Sequence, residues 1–324
     1  MNKLFDCVIV TYEITSTKKK ERLNMRKWVR RLVATVAVTA LGALALPTTG
    51  FAANSKTPII VGSKSFTESK VVSEIYALAL EKAGYKVTRK QNISNSVVFK
   101  AVQTGQIDVY PEYTGTIVDA YLKQSTTNKN AKQIAAAAKK GVAKYKLTTL
   151  TPAPGNDSQG IAVTTKVAKK YGLYTISDLQ KKANKIRFVS QGEFDQRADA
   201  LPGMVKKYGK FDFKSSKDYD DSLKYKILSE GKGDAAPVST TDGQLANGNK
   251  YTLLKDDKHL WPAYNLVPLV RNSTLKSHPK MAKALNQVDK KLTTKTLTEL
   301  NKKVDVDGQN YQTVAKNWFN KNIN

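Results

Sequence analysis

Between residues 58 and 111 the hydrophobic pattern changes period four times. PIIVGS (58–63) is a short apolar run ending near a glycine. SFTESKVVSEIYALALEKAG (65–84) sets apolar residues at 71, 72, 75, 78, 79 and 80, the spacing of one helix face. Ser65 and Glu68 have capping-box spacing, Thr67 offers an alternative N-cap, and Gly84 stops the helix. YKVTRKQ (85–91) alternates as a strand does, NSVVFKAVQTGQ (95–106) reads as a second helix, and IDVYP (107–111) ends a third strand. Strand, helix, strand, helix, strand predicts a parallel sheet covered by helices.

The pattern restarts after the Pro/Gly/Asn stretch TPAPGNDSQG (151–160). IAVTT (161–165), IRFVS (186–190), FDF (211–213) and DAAPV (234–238) read as strands, and DYDDSLKYKILSEG (218–231) as a helix between two of them. Pro262 and Pro268 in WPAYNLVPLV (261–270) suit the start and edge of a strand, and helices at about 277–292 and 308–322 close the chain. Two α/β lobes joined by extended crossings are the simplest architecture. Residues 54–155 with 261–324 form one lobe and 156–260 the other. Open sheets bind ligands beyond the carboxyl ends of parallel strands, which points to loops at 63–68, 110–116, 190–197 and 238–243.

Residues 26–31 (RKWVRR) precede fifteen uncharged residues, LVATVAVTALGALAL, and then PTTGFAAN. That order predicts an export signal at about 25–53, cleaved after Gly50-Phe51-Ala52 or Phe51-Ala52-Ala53, with the translation start at Met1 or Met25. The run is short for a membrane span, although an uncleaved anchor remains the competing reading. The sole cysteine, Cys7, precedes it, so no lipobox follows and the mature chain is expected at the outer face of the membrane or in the wall without a thiol. Only His259 and His278 are histidines, and neither has metal-ligand spacing. No metal, cofactor or Ser/His nucleophile is expected, and a carboxylate pair such as Asp108 and Glu112 is the weak hydrolase alternative. Against 27 acidic residues stand 54 basic ones. Lysines scattered at helix-surface spacing argue against nucleic acid and leave a basic wall- or surface-polymer module as a third reading.

Three segments carry a resemblance: GSKSFTES (62–69), DVYPEYTGT (108–116) and, less specifically, STTDGQ (239–244). They resemble the osmoprotectant-binding subunits of glycine betaine/carnitine/choline ABC transporters, over most of residues 57–324. The resemblance implies a two-lobe, type II periplasmic-binding-protein-like fold, each lobe a mainly parallel sheet flanked by helices. It implies no enzyme activity, a monomer, a quaternary-ammonium cargo in the interlobe cleft and a transmembrane permease as partner.

A quaternary ammonium has no proton to donate, so π-faces and dispersion must recognise it, at about 0.5–2 kcal/mol per ring. Tyr113 is the first-lobe cage candidate; Tyr110 reads equally as cage or core. Thr116 is implied to bond a betaine carboxylate and can also cap the helix IVDAYL. Lys64, beside a helix start, suits an anionic group or is simply solvated. SQGEFDQRADALPG (190–203) matches the family's Glu-then-Arg pattern through Glu193 and Arg197, the Arg implied to hold the carboxylate. A helix-stabilising pair four residues apart is the plainer alternative. Tyr264 in WPAY falls at a cage position, and Trp261 reads as core.

Two departures matter. Gln159 stands where the resemblance implies a cage tyrosine, and Ser239 stands where another precedes the Thr-Asp-Gly turn. Losing two rings costs about two orders of magnitude in affinity for a trimethylammonium. The alternative cargo is therefore a larger or more polar betaine, ergothioneine-like, hydrogen-bonded by Gln159 and Ser239 with counter-charge from Asp157 or Asp242. Asp242 beside Gly243 also reads as a turn residue.

Overall fold

A computed structural model describes residues 57–323; the segment read as an export signal lies outside them. Its ten strands form two five-stranded sheets with one shared plan. The first contains β1 (Ile59–Lys64), β2 (Val87–Ile93), β3 (Val109–Tyr113), β4 (Leu147–Thr149) and β10 (Leu266–Arg271) in the order β2-β1-β3-β10-β4. The second contains β5 (Gln159–Thr164), β6 (Arg187–Ser190), β7 (Ser215–Asp218), β8 (Ala235–Ser239) and β9 (Tyr251–Leu253) in the order β7-β6-β8-β5-β9.

In each sheet the first three strands are parallel neighbours and the last two join antiparallel. The sheets are therefore mixed. The reason lies in β5 and β10. Each follows directly on a crossing from the other sheet: β10 begins opposite Tyr113 at the end of β3, and β5 begins opposite Ser239 at the end of β8. A strand that enters at its neighbour's carboxyl end must run against it.

The helices are α1 (Thr67–Lys82), α2 (Asn95–Thr104), α3 (Ala131–Val142), α4 (Thr165–Tyr171), α5 (Ile176–Lys181), α6 (Gly192–Gln196), α7 (Leu201–Tyr208), α8 (Lys224–Ser229), α9 (Asn272–Ser277), α10 (Met281–Asp289), α11 (Thr294–Asp305) and α12 (Tyr311–Asn322). Apolar residues of α1, α10, α11 and α12 pack with Val61, Val109, Leu266 and Val270 on one face of the first sheet. Those of α2 and α3 pack with Tyr110, Val267 and Leu269 on the other. Alternation along β3 and β10 thus feeds both layers. In the second sheet, Phe188 and Ile161 meet α5 and α7, while Val189 and Ala236 meet α8.

Three expectations fail locally. Phe211 and Phe213 are not a strand: they stack on one another and on Phe188 as core side chains, and the strand follows at β7. The helix expected over 218–231 shortens to a 3-10 turn and α8, and its first residue, Asp218, ends β7. Pro268 lies in β10, an interior strand, not at an edge. Its carbonyl accepts from the Leu150 amide (3.1 Å), so its nitrogen faces the ground just past the end of β4 and no ladder bond is lost.

Candidate functional site

A cavity of about 670 Å³ opens where the carboxyl ends of β1 and β8 approach one another. Ser65, Phe66, Thr67 and Glu68 at the start of α1, with Asn301 and Asp305 of α11, contribute one wall. Asp157, Gln159, Gln191, Phe194, Arg197, Ser239, Thr241 and Asp242 contribute to the other.

The start of α1 differs from the capping-box expectation. Phe66 is the N-cap residue and makes no side-chain cap bond. Glu68 instead turns inward and accepts from the Tyr113 hydroxyl (2.8 Å) and from Asn301 Nδ2 (2.8 Å). Asn301 Nδ2 also donates to the Thr241 carbonyl (2.9 Å), so this one amide ties the two walls together. Asp157 accepts from the Thr241 hydroxyl (2.8 Å). Burial pushes the Glu68 carboxyl up and the Asp157 carboxyl well up; hydrogen bonds offset part of this, and Asp157 is raised further by Glu68. The floor of the cavity is thus a pair of carboxyls that resist ionising together. Asp242 is held by Lys224 Nζ (3.1 Å) and the Tyr225 hydroxyl (2.9 Å).

Of the nine residues singled out from sequence, Gln159, Arg197 and Ser239 line this cavity. Gln159 and Ser239 are direct partners in the antiparallel pairing of β5 with β8. The two positions where the resemblance implies tyrosines are therefore side by side on one face, a single polar patch. Arg197 holds Asp199 with two bonds (3.0 and 2.6 Å). The side chain of Glu193 lies outside what the structure describes.

Tyr113 stands one residue behind the wall, its ring stacked near Phe66 (centroids 6.3 Å apart) and its hydroxyl on Glu68. Tyr110 is a core residue. β3 runs through to Tyr113, so residues three apart point to opposite faces, and the Tyr110 ring joins the layer under α2 and α3. Its hydroxyl donates to Glu112 (3.0 Å). Lys64 is not solvated and does not line the cavity: its ammonium is 2.5 Å from buried Glu112, and 5.4 Å from the Tyr113 ring centre. Thr116 lies inside a helical stretch that starts at Thr114, so it caps nothing, and it does not line the cavity. Tyr264 packs its ring on Gly115, where a Cβ would sit 2.6 Å from it, and donates to Asp119 (3.2 Å). Trp261 is buried in the second core, as expected. Asp108 and Glu112, the hydrolase pair, are occupied by Arg271 with Thr274 and by Lys64 respectively.

Residues 57–321 match the family described as the substrate binding domain of ABC-type glycine betaine transport systems. The chain belongs to this family. It is 32% identical over 298 residues to the glycine betaine-binding protein YehZ of Escherichia coli K12, covering 87% of this chain and 95% of that one. It is 30% identical over 264 residues to an ergothioneine transport permease/ergothioneine binding protein, EgtU of Helicobacter pylori, covering 81% of this chain and 47% of that longer one. Among solved structures, apo YehZ superposes with a TM-score of 0.71 at 33% identity over 82% of this chain and 98% of that one. A glycine betaine/carnitine/choline ABC transporter structure gives 0.75 at 28% identity, over 81% and 98%.

In this glycine betaine-type substrate-binding domain, sequence reasoning missed the cavity's own rings, Phe66 and Phe194, the floor carboxyl Glu68, and Asn301, which ties the walls together. Phe66 and Glu68 sit inside the quoted SFTES segment but read there as helix-start residues. Asn301 carries no local signal, because its role arises from α11 packing against the Thr241–Gly243 turn. Gly243 allows that approach: a Cβ there would lie 2.5 Å from the Lys302 backbone nitrogen. No helix among the described residues is long and apolar enough to cross a membrane.

Proposed function

We propose that this substrate-binding component of a glycine betaine/carnitine-type ABC importer captures a zwitterionic quaternary amine in the cavity between its two sheets. It then delivers that cargo to a transmembrane permease. The observation that carries the reading is the makeup of the walls: Phe66 and Phe194 offer apolar rings, Glu68 and Asp157 offer carboxyls whose ionisation a bound cation would favour, and Arg197 offers a guanidinium. A permanent cation is favoured by π-faces and by carboxyls that make no ion pair among the described residues, while a cargo carboxylate competes with Asp199 for Arg197. Residues from both sheets line the site, so hinge closure would complete it and present a new surface to the permease.

A specific observation favours the more polar cargo. Gln159, Ser239, Gln191 and Asn301 place amide and hydroxyl groups beside the carboxyl pair, where the implied cage has two tyrosines. A trimethylammonium cannot donate to any of them, whereas a betaine carrying ring N–H groups, as ergothioneine does, can. Calorimetric titration of the protein with ergothioneine, glycine betaine, carnitine and choline tests both readings. Binding of one molecule per chain, tightest for ergothioneine, supports the second. Preference for glycine betaine sinks that reading and keeps the first, and no binding to any of the four removes both.

A further inference from the structure

We propose that the β4 edge of the first sheet is a docking surface for an anionic phospholipid bilayer. Two long stretches of chain without a single Asp or Glu converge there, residues 120–156 and 258–288. The first supplies α3 and β4, the second β10, α9 and most of α10. A second cavity, about 540 Å³, marks where they meet, lined by Ala135, Ala136 and Lys139 of α3, residues 148–152, Leu275 and Asn286.

The three helices that line it carry six exposed lysines: Lys132, Lys139 and Lys140 on α3, Lys276 on α9, and Lys283 and Lys290 on α10 and just past its end. Lys132 and Lys139 share a helix face with Ala135 and Ala136, and Lys283 and Lys290 share one with Asn286. None of the six has an ion-pair partner among the described residues. Positive charge that no internal carboxylate balances is complementary to a surface of phosphates.

The spread of the lysines favours a bilayer over a single polyanionic strand. They come from three helices, with α3 and α10 packed on opposite faces of the sheet, so a plane of headgroups across the β4 edge meets them together, whereas one strand meets a few. The chain's exposed large hydrophobic residues, such as Phe66, Tyr174 and Val306, are elsewhere, so attachment is electrostatic and reversible. β4 is a lateral edge, while the cargo cavity lies at the strand ends, so docking leaves the cavity open. No thiol follows the N-terminal apolar run to carry a lipid, and this surface supplies membrane proximity by another route.

The test is co-sedimentation of the full chain with vesicles of phosphatidylcholine containing about 30% phosphatidylglycerol, and with phosphatidylcholine alone. A variant carrying K132Q, K139Q, K140Q, K276Q, K283Q and K290Q is compared with one carrying K166Q, K169Q, K182Q, K185Q, K206Q and K207Q, equal in charge but on the second-sheet side. Both should keep wild-type cargo affinity, which certifies their fold. Binding to the anionic vesicles is expected, with a loss on the order of 100-fold or more in the first variant and within about threefold in the second. Equal losses in both variants would assign the effect to total charge. Unchanged binding to neutral vesicles would assign it to the apolar segment. Face-dependent binding to soluble poly(glycerol phosphate) without vesicle binding would assign it to a polymer. Each of these overturns the proposal.

Discussion

Lys64 separates the sequence's expectation from the structure's answer, because a cargo clamp and a structural ion pair fail differently when it is removed. Its ammonium lies 2.5 Å from Glu112 Oε1, with side-chain exposures of 5% and 0%. Glu112 also accepts from the hydroxyls of Tyr110 (3.0 Å) and Tyr121 (2.7 Å) and from the Tyr113 amide (2.9 Å), so the carboxylate is fully satisfied. Removing one member of such a pair strands the other charge away from water, at a cost of about 3–5 kcal/mol. Lys64→Met and Glu112→Gln should therefore each lower unfolding stability by that amount in urea titrations followed by tryptophan fluorescence. The double variant should be more stable than the sum of the singles implies, with a coupling on the order of 2 kcal/mol. A loss below about 1 kcal/mol in Lys64→Met, the size expected of a surface pair, would refute the reasoning. Collapse of cargo affinity in that same variant would return Lys64 to the clamp role.

Further expectations follow from the cavity floor and its closest approaches. The folded-state pKa values of Glu68 and Asp157 lie above their unfolded values, so they favour folding below those folded values and the benefit is lost as pH rises through them. A bound cation favours the ionised pair, so cargo affinity should fall as pH drops through the raised range, about tenfold per pH unit for one linked proton, as read by calorimetry. Asp157→Asn should accordingly raise the melting temperature of the cargo-free protein at neutral pH while weakening binding; a fall in both would contradict the electrostatic account. Gly243→Ala has backbone, not a flexible side chain, in its way, so it should cost about 1–3 kcal/mol and weaken binding by displacing Asn301. Unchanged affinity in that variant would mean that the amide between the walls does not matter. Gln159→Tyr with Ser239→Tyr, which restores two rings on adjacent register positions, should shift preference towards glycine betaine, measured as a ratio of affinities.

The regular elements were legible because their signals are local. Period-two and helical runs placed β1, β2, β5, β6 and β8, and the first crossing between the two sheets was visible as the Pro- and Gly-rich stretch at 151–160. Strand direction was not legible, since nothing in LVPLV shows that the chain re-enters beside the carboxyl end of β3. Tyr110 was left open between cage and core by a short boundary error: ending the strand at 111 put Tyr113 in a loop, whereas continuing it to Tyr113 sends the two rings to opposite faces. Lys64 and Glu68 exchanged expected roles for a related reason. Both sit where a strand gives way to a helix, and which of them faces the cavity is set by Glu112 and Asn301, 48 and 233 residues away. Gln159 and Ser239 were singled out in sequence, but only the β5–β8 register shows that they form one patch.

A crystal structure of the protein grown with ergothioneine tests the account most directly. It predicts density between Phe66 and Phe194, with ring N–H groups directed at Glu68, Asp157, Gln159 or Ser239, and the walls drawn together across Asn301. Density elsewhere on the chain, or an unoccupied cavity beside a saturating binding isotherm, would contradict it.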